Sequence, residues 1–267
     1  MESRKKAIGS RARDSIVRFF NLFGGGPRVS TPPAPSTGGD VLDVLEPRFH
    51  TRLRSMYRGE PQLGIDANSH PIDMTRISRT QGMWLYELCV SVKPTATLEI
   101  GMAYGFSTLY FLAAAARNLG GHHTAIDPFQ RSRWQGIGLA HAQALTSEKG
   151  SSFGFHFIEE RSDRAATDLA RSDSTFEVIF IDGNHRFDDV LVDFYLYAPL
   201  CAEGGYMIFD DMWLFSIQTV VAFVRTNRAD FVEVATDQAN ICVFKKIGPD
   251  PREWRHFRQF AVSPSSD

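Results

Sequence analysis

The stretch that decides the fold is Leu98 to Thr108, which reads LEIGMAYGFST. Its apolar start predicts a buried strand, and the apolar run that follows its end predicts a helix. Between them, Gly101 permits a tight turn, and Gly105 permits close approach of a ligand to the backbone. Ser107 or Thr108 can satisfy the free N–H groups at the start of the helix. The stretch therefore predicts a strand, a glycine turn and a helix that together face a ligand.

Outside this stretch, strand and helix patterns alternate, and the central strands are nearly continuous in Ile, Val and Phe. This is typical of a parallel sheet covered on both faces. The connector Thr236 to Asn240 is too short for a parallel crossover and predicts a final antiparallel hairpin. We predict an α/β fold: a Rossmann-like, doubly wound, mostly parallel seven-stranded sheet with a C-terminal antiparallel hairpin and an N-terminal helical cap. The predicted strands are Thr97–Ile100, Thr124–Asp127, Phe153–Glu159, Phe176–Asp182, Tyr206–Asp210, Phe231–Ala235 and Ile241–Lys245, and the predicted helices are Ser107–Leu119, Gly136–Leu145, Ser162–Arg171, Phe187–Leu200 and Phe215–Asn227.

Composition divides the chain into four parts. Residues 1–40 form a basic tail and a linker rich in Gly, Pro and Ser, which predicts disorder. Alternatively, residues 1–23 form a basic amphipathic helix with weak membrane-surface contact. Residues 41–95 are predicted to be a helical cap, or lid, on the acceptor side, residues 96–247 the cofactor-binding domain and residues 248–267 a C-terminal tail. In the cap, one helix face is predicted from Ile77, Trp84, Leu85, Leu88 and Val92, and the helical pattern is broken by Pro47, Pro61 and Pro71.

Bulk composition narrows the class of protein. The 267 residues are 43% hydrophobic and 22% charged, which is enough for a packed core. Lys and Arg number 29 against 31 Asp and Glu, so the near-neutral chain does not favour a nucleic-acid partner. Three widely spaced cysteines in apolar runs predict buried thiols in a reducing compartment. No apolar run approaches the about 18 residues that span a bilayer, and the N-terminus lacks a signal peptide's apolar segment, so we expect a cytoplasmic protein.

The glycine turn and one acidic residue predict the type of cofactor. In open α/β sheets, ligands bind at the carboxyl ends of the strands. Asp127 ends the second strand of the sheet, where an acidic side chain can accept both hydroxyls of a nucleoside ribose. A dinucleotide site would require Gly-x-Gly-x-x-Gly to hold a pyrophosphate, whereas this chain has Glu-x-Gly-x-x-x-Gly-x-Ser.

This pattern resembles the glycine motif of class I S-adenosylmethionine-dependent methyltransferases. The resemblance implies S-adenosyl-L-methionine as the cofactor, its amino-acid end near the motif residues Glu99, Gly101, Gly105 and Ser107. It also implies that Asp127 holds the ribose and that Ser162 lies beside the adenine. Ser162 could equally be a helix N-cap.

Three further aspartates follow the fourth and fifth predicted strands. Asp182 ends the fourth, and Asp210 and Asp211 end the fifth. If the two strands are neighbours, about 4.8 Å apart, these carboxylates converge. Clustered carboxylates repel unless a proton or a cation lies among them, and all-oxygen ligands favour Mg²⁺ over zinc. Each aspartate alone could equally form a turn or cap a helix.

The spacing of Asp182, Asp210 and Asp211 resembles that of the metal ligands in catechol-type, cation-dependent O-methyltransferases, which usually have Asn in place of Asp211. A closer resemblance, over roughly residues 72–245, is to the bacterial family that includes the macrolide-sugar O-methyltransferases. It is carried by Ile181–His185, Gly204–Tyr206 and Phe209–Trp213. These resemblances imply a divalent cation, Mg²⁺, held by the three aspartates.

His185 stands three residues after Asp182, where the catechol-type enzymes carry a catalytic lysine. Its ordinary pKa near about 6.5 makes the neutral imidazole available at pH 7 as a proton acceptor. The alternative is a histidine that caps the following helix. Three aromatic residues, Phe129, Trp134 and Trp213, could wall the acceptor pocket, although packing alone would also explain each.

The predicted function is metal-assisted O-methylation of a small-molecule hydroxyl, on a sugar, diol or phenol, with His185 and Asp182 as catalytic residues. Two other classes are weaker alternatives. A nicotinamide-dependent oxidoreductase would need the missing glycine triad, and a non-catalytic cofactor-binding or membrane-docking module would not need the acidic cluster.

Overall fold

The structure is a computed structural model that describes residues 40–262. The predicted basic segment, its membrane contact and the linker up to residue 39 lie outside the described residues. Within residues 40–262 the strands are β1 Gln62–Leu63, β2 Ser69–His70, β3 Ala96–Ile100, β4 His122–Ile126, β5 Gly154–Ile158, β6 Phe176–Ile181, β7 Cys201–Phe209, β8 Phe231–Val234 and β9 Cys242–Lys246. The α-helices are α1 Pro47–Tyr57, α2 Arg79–Val92, α3 Phe106–Arg117, α4 Ile137–Thr146, α5 Ser162–Arg171, α6 Phe187–Tyr197 and α7 Phe215–Asn227.

Seven strands form one sheet in the order β5-β4-β3-β6-β7-β9-β8. The first five strands of this order pair in parallel, and β9 pairs antiparallel with both β7 and β8. The predicted fold is therefore confirmed. The strand order reverses between β3 and β6, which places the ligand crevice at their carboxyl ends.

The sheet is buried because its side chains alternate between two apolar layers. In β6, Val178 and Phe180 pack with α2, α3 and α4, whereas Ile179 and Ile181 pack with α5, α6 and α7. All four are almost fully buried. Burial of each such side chain contributes about 1.5–3 kcal/mol. Because both faces are covered, the sheet itself can offer polar side chains to a ligand only at the strand ends and in the loops after them.

The N-terminal part of the described chain packs on the first layer. Leu53 and Met56 of α1 and Trp84 and Leu85 of α2 belong to the same apolar cluster as α3. Pro47 separates the 3-10 helix Val41–Val44 from α1, which agrees with the predicted break. It stands in the first turn of α1, where the missing N–H has no helical acceptor.

Other boundaries in the structure differ from the prediction for local reasons. Helix α2 begins after Ser78, whose Oγ accepts a hydrogen bond from the backbone N–H of Gln81, so Ile77 precedes the helix. Helix α6 ends at Tyr197 rather than Leu200, because Pro199 has no N–H to continue the helical hydrogen bonds. Strands β1 and β2, two residues each, were not predicted because such short strands show no period of two.

The cysteines, the lengths of the helices and the C-terminal tail bear on the remaining predictions. The cysteines Cys89, Cys201 and Cys242 are buried and unpaired. In residues 40–262, every helix is too short or too polar to cross a bilayer. The described tail, up to residue 262, has no helix. Asn227 anchors it through hydrogen bonds to the backbone of Arg258. The four-part division and the cytoplasmic location stay predictions.

Candidate active site

One large cavity lies at the carboxyl ends of β3, β4, β6 and β7, with a volume of about 1070 Å³. This volume is slightly above the range of about 300–1,000 Å³ that is usual for small-molecule sites. Its wall combines the loops after these four strands with the segment before α2 and the connector before β9. The cavity is large enough to hold a cofactor and an acceptor together.

Gly101 brings the ends of β3 and β6 together. Its φ is +92°, and a Cβ there would lie 2.0 Å from the carbonyl oxygen of Asp182. Only glycine permits this contact, because a side chain would collide with backbone and strain the turn. Gly101 lines the cavity, as predicted for a turn that faces a ligand.

Glu99 lies below the turn and does not line the cavity. It is fully buried and accepts hydrogen bonds from the hydroxyls of Ser107 and Thr108, with His123 Nε2 3.2 Å away. The two hydroxyls therefore do not cap α3, contrary to the prediction. Because Ser107 also lines the cavity, Glu99 fixes the first turn of α3 from beneath. A contact between Glu99 and the cofactor stays a prediction.

Gly105 is used for packing between helices. It has φ +85° at the N-cap of α3, and a Cβ would lie 2.8 Å from Cα of Gly138 in α4. The close approach that it permits is thus to Gly138, and Gly105 is not part of the cavity wall. This geometry differs from the predicted approach of a ligand.

Asp127 follows β4 and lies buried in the cavity wall. Its carboxylate accepts hydrogen bonds from the backbone N–H groups of Met102, Ala103 and Phe129, at 2.8–3.2 Å. Burial raises the pKa of Asp127, and these backbone bonds partly oppose the shift. They tie Asp127 to the glycine turn and use most of its acceptor capacity. A contact with both ribose hydroxyls stays a prediction.

Ser162 also lines the cavity. It is the first residue of α5, and Arg161 occupies the N-cap position, so Ser162 is not the cap. The side chain of Ser162 bonds to Asp193, and burial raises the pKa of Asp193 to about 6. A contact between Ser162 and the adenine stays a prediction.

The structure brings Asp182, His185 and Asp211 together. Strands β6 and β7 are parallel neighbours, as the convergence of the aspartates required. Nε2 of His185 lies 2.9 Å from Oδ2 of Asp211 and 3.9 Å from Oδ1 of Asp182. One donor atom from each residue lies within 4.8 Å of the other two. His185 does not cap α6, because Arg186 occupies that N-cap.

Asp210 has different partners from the other two aspartates. It is buried, and its Oδ1 accepts hydrogen bonds from Gln81 Nε2 of α2, from Asn240 Nδ2 at 2.9 Å and from the N–H of Asp211 at 2.7 Å. Asp210 is thus outside the group of donor atoms formed by Asp182, His185 and Asp211. It lines the same cavity and holds α2 and the β9 connector at the site.

The close carboxylates change one another's pKa values. Burial, and then the charge of Asp210, raises the pKa of Asp182 well above its ordinary value. Burial also raises the pKa of Asp210 to about 6. At Asp211, burial acts in the same direction, but hydrogen bonds from His185, Trp213 and Asn240 outweigh it and lower the pKa.

The interactions with Asp182 and Asp211 raise the pKa of His185 to about 10. The imidazole is therefore protonated at pH 7, which corrects the prediction of a neutral base. Its positive charge lies where a cation among the carboxylates was expected.

The donor set fits a divalent cation, because two carboxylates and an imidazole can reach one point. It differs from the predicted set of three aspartates, since His185 takes the place of Asp210. A mixed set of oxygen and nitrogen donors suits transition ions as well as Mg²⁺.

Sequence reasoning missed Gln81 and Asn240. Gln81 is a buried polar residue in an apolar helix, and nothing in the sequence indicated that it contacts Asp210, which follows β7. Asn240 had a usable signal. Strand β9 is antiparallel to β7, so the residues before β9 lie at the same edge as the carboxyl end of β7. The three predicted wall residues all line the cavity: Trp134 is buried, whereas Phe129 and Trp213 are exposed.

A family model described as a methyltransferase domain matches residues 98–212, from β3 to the loop after β7. This range contains the glycine turn, Asp127, His185 and the three clustered aspartates. Residues 98–212 are therefore similar to a methyltransferase domain, in agreement with the predicted class.

Solved structures share the fold at low sequence identity. The S-adenosylhomocysteine-bound methyltransferase PaMTH1 of Podospora anserina is 14% identical, with a TM-score of 0.56 over 76% of this chain and 89% of that one. An O-methyltransferase of Bacillus cereus in complex with S-adenosylhomocysteine is 15% identical, with a TM-score of 0.55 over 76% and 93% of the two chains.

Among protein sequences, an uncharacterized protein of Sinorhizobium fredii, y4gI, is 27% identical over 134 residues, which are 49% of this chain and only 14% of that protein.

Proposed function

We propose that this protein is an S-adenosylmethionine-dependent O-methyltransferase that methylates a hydroxyl group of a small molecule, a sugar, diol or phenol, with the help of a divalent cation. The observation that carries the proposal is the convergence of Asp182, His185 and Asp211 in the same cavity wall as the Gly101 turn. A hydroxyl needs a proton acceptor and local positive charge to become a nucleophile: neutral His185 would accept the proton, and a cation bound by the carboxylates would supply the charge.

The cofactor supplies an electrophilic methyl group when bound. The chain's residues bind and orient it: Gly101 keeps the turn open, Asp127 offers a carboxylate to the ribose and Ser162 lies on the adenine side. Placing two reactants in one cavity is itself a large source of rate. The cavity volume of about 1070 Å³ supports this arrangement.

The acceptor end is formed by the cluster. In its neutral form, His185 is the proposed acceptor of the hydroxyl proton, and Asp211 orients the imidazole through the 2.9 Å contact with Nε2. A divalent cation, when bound by Asp182 and Asp211, supplies positive charge that lowers the pKa of an acceptor hydroxyl. We propose Mg²⁺ for this role. Asp210 has a separate role, because its hydrogen bond from Gln81 of α2 fixes the cap against the site.

The test is a labelled-methyl transfer screen over diols, phenols and nucleotide sugars, with Mg²⁺ and with EDTA. We expect transfer to a hydroxyl oxygen in wild type, loss of transfer in Asp182→Asn, and no change in Asp168→Asn. Asp168 is an exposed carboxylate outside the cavity and is the matched control. Transfer to nitrogen or carbon acceptors alone would contradict the proposed O-methylation, and transfer that EDTA leaves unchanged would contradict the role of the cation.

A further inference from the structure

Three arginines line the cavity, and two of them have no carboxylate partner within salt-bridge distance among residues 40–262. Arg161 is paired with Asp163 at 3.0 Å. Arg76, from the segment before α2, and Arg133, from the loop after β4, line the same cavity without such a partner. Because a guanidinium has five donors, the two side chains bring unused hydrogen-bonding capacity to the cavity.

Arg76 is held in place by two contacts with Tyr57. It is half-buried, its Nη1 donates to the carbonyl oxygen of Tyr57 at 3.3 Å, and its guanidinium lies 5.6 Å from the centre of the Tyr57 ring. The hydrogen bond to Tyr57 uses one of the five N–H donors of the guanidinium. A positioned, half-buried guanidinium loses less entropy on binding an anion than a free surface arginine does.

Arg133 is positioned by stacking. Its guanidinium lies 4.5 Å from the ring centre of the buried Trp134, which packs edge-on against Tyr104. Hydrogen bonds from Thr75 lower the pKa of Asp73, and the charge of Arg133 lowers it further by a smaller amount. Asp73 lies three residues before Arg76, so the segment that carries Arg76 lies near Arg133. Both cations therefore line the cavity near the segment from Asp73 to Arg76.

We propose that the acceptor carries an oxyanion, a phosphate or a carboxylate, which Arg76 and Arg133 bind. This inference rests on the proposed methyltransferase function and adds a substrate class to it. Phosphate and carboxylate both match the planar fork of a guanidinium through paired hydrogen bonds. Arg133 follows β4, as Asp127 does, so the assignment of the oxyanion to the acceptor rests on Arg76, which comes from the segment before α2.

The experiment measures anion binding by calorimetry on the full chain saturated with S-adenosylhomocysteine. The probes are inorganic pyrophosphate and malonate, which separate a phosphate site from a carboxylate site. We expect one of them to bind, and Arg76→Gln and Arg133→Gln each to weaken that binding at least tenfold. Arg255→Gln is the matched control, since its guanidinium stacks on Trp254 at 4.4 Å outside the cavity, and it should leave binding unchanged.

A second titration separates this inference from the proposed function. The affinity for S-adenosylmethionine should change less than twofold in Arg76→Gln and Arg133→Gln. A tenfold loss of cofactor affinity would mean that these arginines hold the cofactor's own carboxylate and would overturn the inference. The inference would also be overturned if neither pyrophosphate nor malonate bound, or if neither substitution altered the binding of the probe that does bind. Failure of wild type to bind S-adenosylmethionine would instead contradict the proposed function.

Discussion

Nε2 of His185 lies 2.9 Å from Oδ2 of Asp211, between the loop after β6 and the end of the neighbouring strand β7. The two side chains meet because β6 and β7 are parallel and adjacent, so that both loops leave the sheet at the same edge. The contact joins the proposed proton acceptor to a carboxylate that can also hold a cation. Its charge state therefore links proton transfer to cation binding.

The first prediction concerns the pH dependence of turnover. With a pKa of about 10, only about one His185 side chain in a thousand is neutral at pH 7. Without added cation, we expect the rate to rise about tenfold per pH unit between pH 7 and pH 9, because only the neutral imidazole accepts a proton. Added Mg²⁺ should move the midpoint to lower pH, since a cation offsets the carboxylates' attraction for the imidazolium.

The pH profile is measured by labelled-methyl transfer, with His185→Gln as the comparison. That variant should lose most of the rate and show no rise over this range. A wild-type rate that is flat between pH 7 and pH 9, with and without Mg²⁺, would show that His185 is not the proton acceptor.

The second prediction concerns Asp182. Asp182→Ala should abolish turnover and leave the affinity for S-adenosylmethionine within about twofold, because Asp182 lies in the acidic cluster and away from the predicted ribose and adenine contacts. Initial rates and calorimetric titration of the same preparation measure the two quantities. Unchanged turnover would refute the metal-centred scheme. A lost cofactor affinity would instead place Asp182 in the cofactor site.

The third prediction concerns the bond between the cap and the site. Gln81→Leu keeps the side-chain size but removes the donor to the buried Asp210. We expect the free energy of unfolding to fall by about 1–3 kcal/mol, because a buried acceptor loses a partner. Urea denaturation measures this change. Gln143→Leu, at an exposed position of α4, is the control. Equal stability of wild type and Gln81→Leu would mean that the bond does not hold the cap.

The fourth prediction concerns the glycine turn. In Gly101→Ala, the new Cβ would lie 2.0 Å from the Asp182 carbonyl oxygen at a backbone φ of +92°. The φ strain alone costs about 1–3 kcal/mol, so the melting temperature and the cofactor affinity should both fall. Gly120→Ala has open space and no positive φ, and should behave like wild type. A wild-type melting temperature in Gly101→Ala would contradict the described turn.

The sequence was sufficient for the sheet because the cause of its strands is local. Val178–Ile181 are apolar on both faces, which is typical of a doubly covered strand. Helix ends were less predictable, since Ser78 and Pro199 act through caps and backbone restrictions that the apolar spacing does not show. The two-residue strands β1 and β2 are set by tertiary contacts.

The site was predicted as far as topology alone determines it. Because parallel strands end at one edge, the sequence predicted that Asp182, Asp210 and Asp211 lie at the same end of the sheet as Asp127. The partners of Asp210 could not be predicted, since the contact from Gln81 depends on how α2 packs. The expectation of an ordinary pKa for His185 was wrong for a related reason. This pKa depends on the distances from Nε2 to the carboxylates of Asp182 and Asp211, which the sequence does not contain.

The most direct test of the central claim is a crystal structure of the protein with S-adenosylhomocysteine. The account predicts the ligand in the cavity at the ends of β3, β4, β6 and β7. Its ribose should lie within hydrogen-bonding distance of Asp127, and its sulfur should face Asp182 and His185. A ligand bound elsewhere, or one whose sulfur is directed away from that cluster, would contradict the claim.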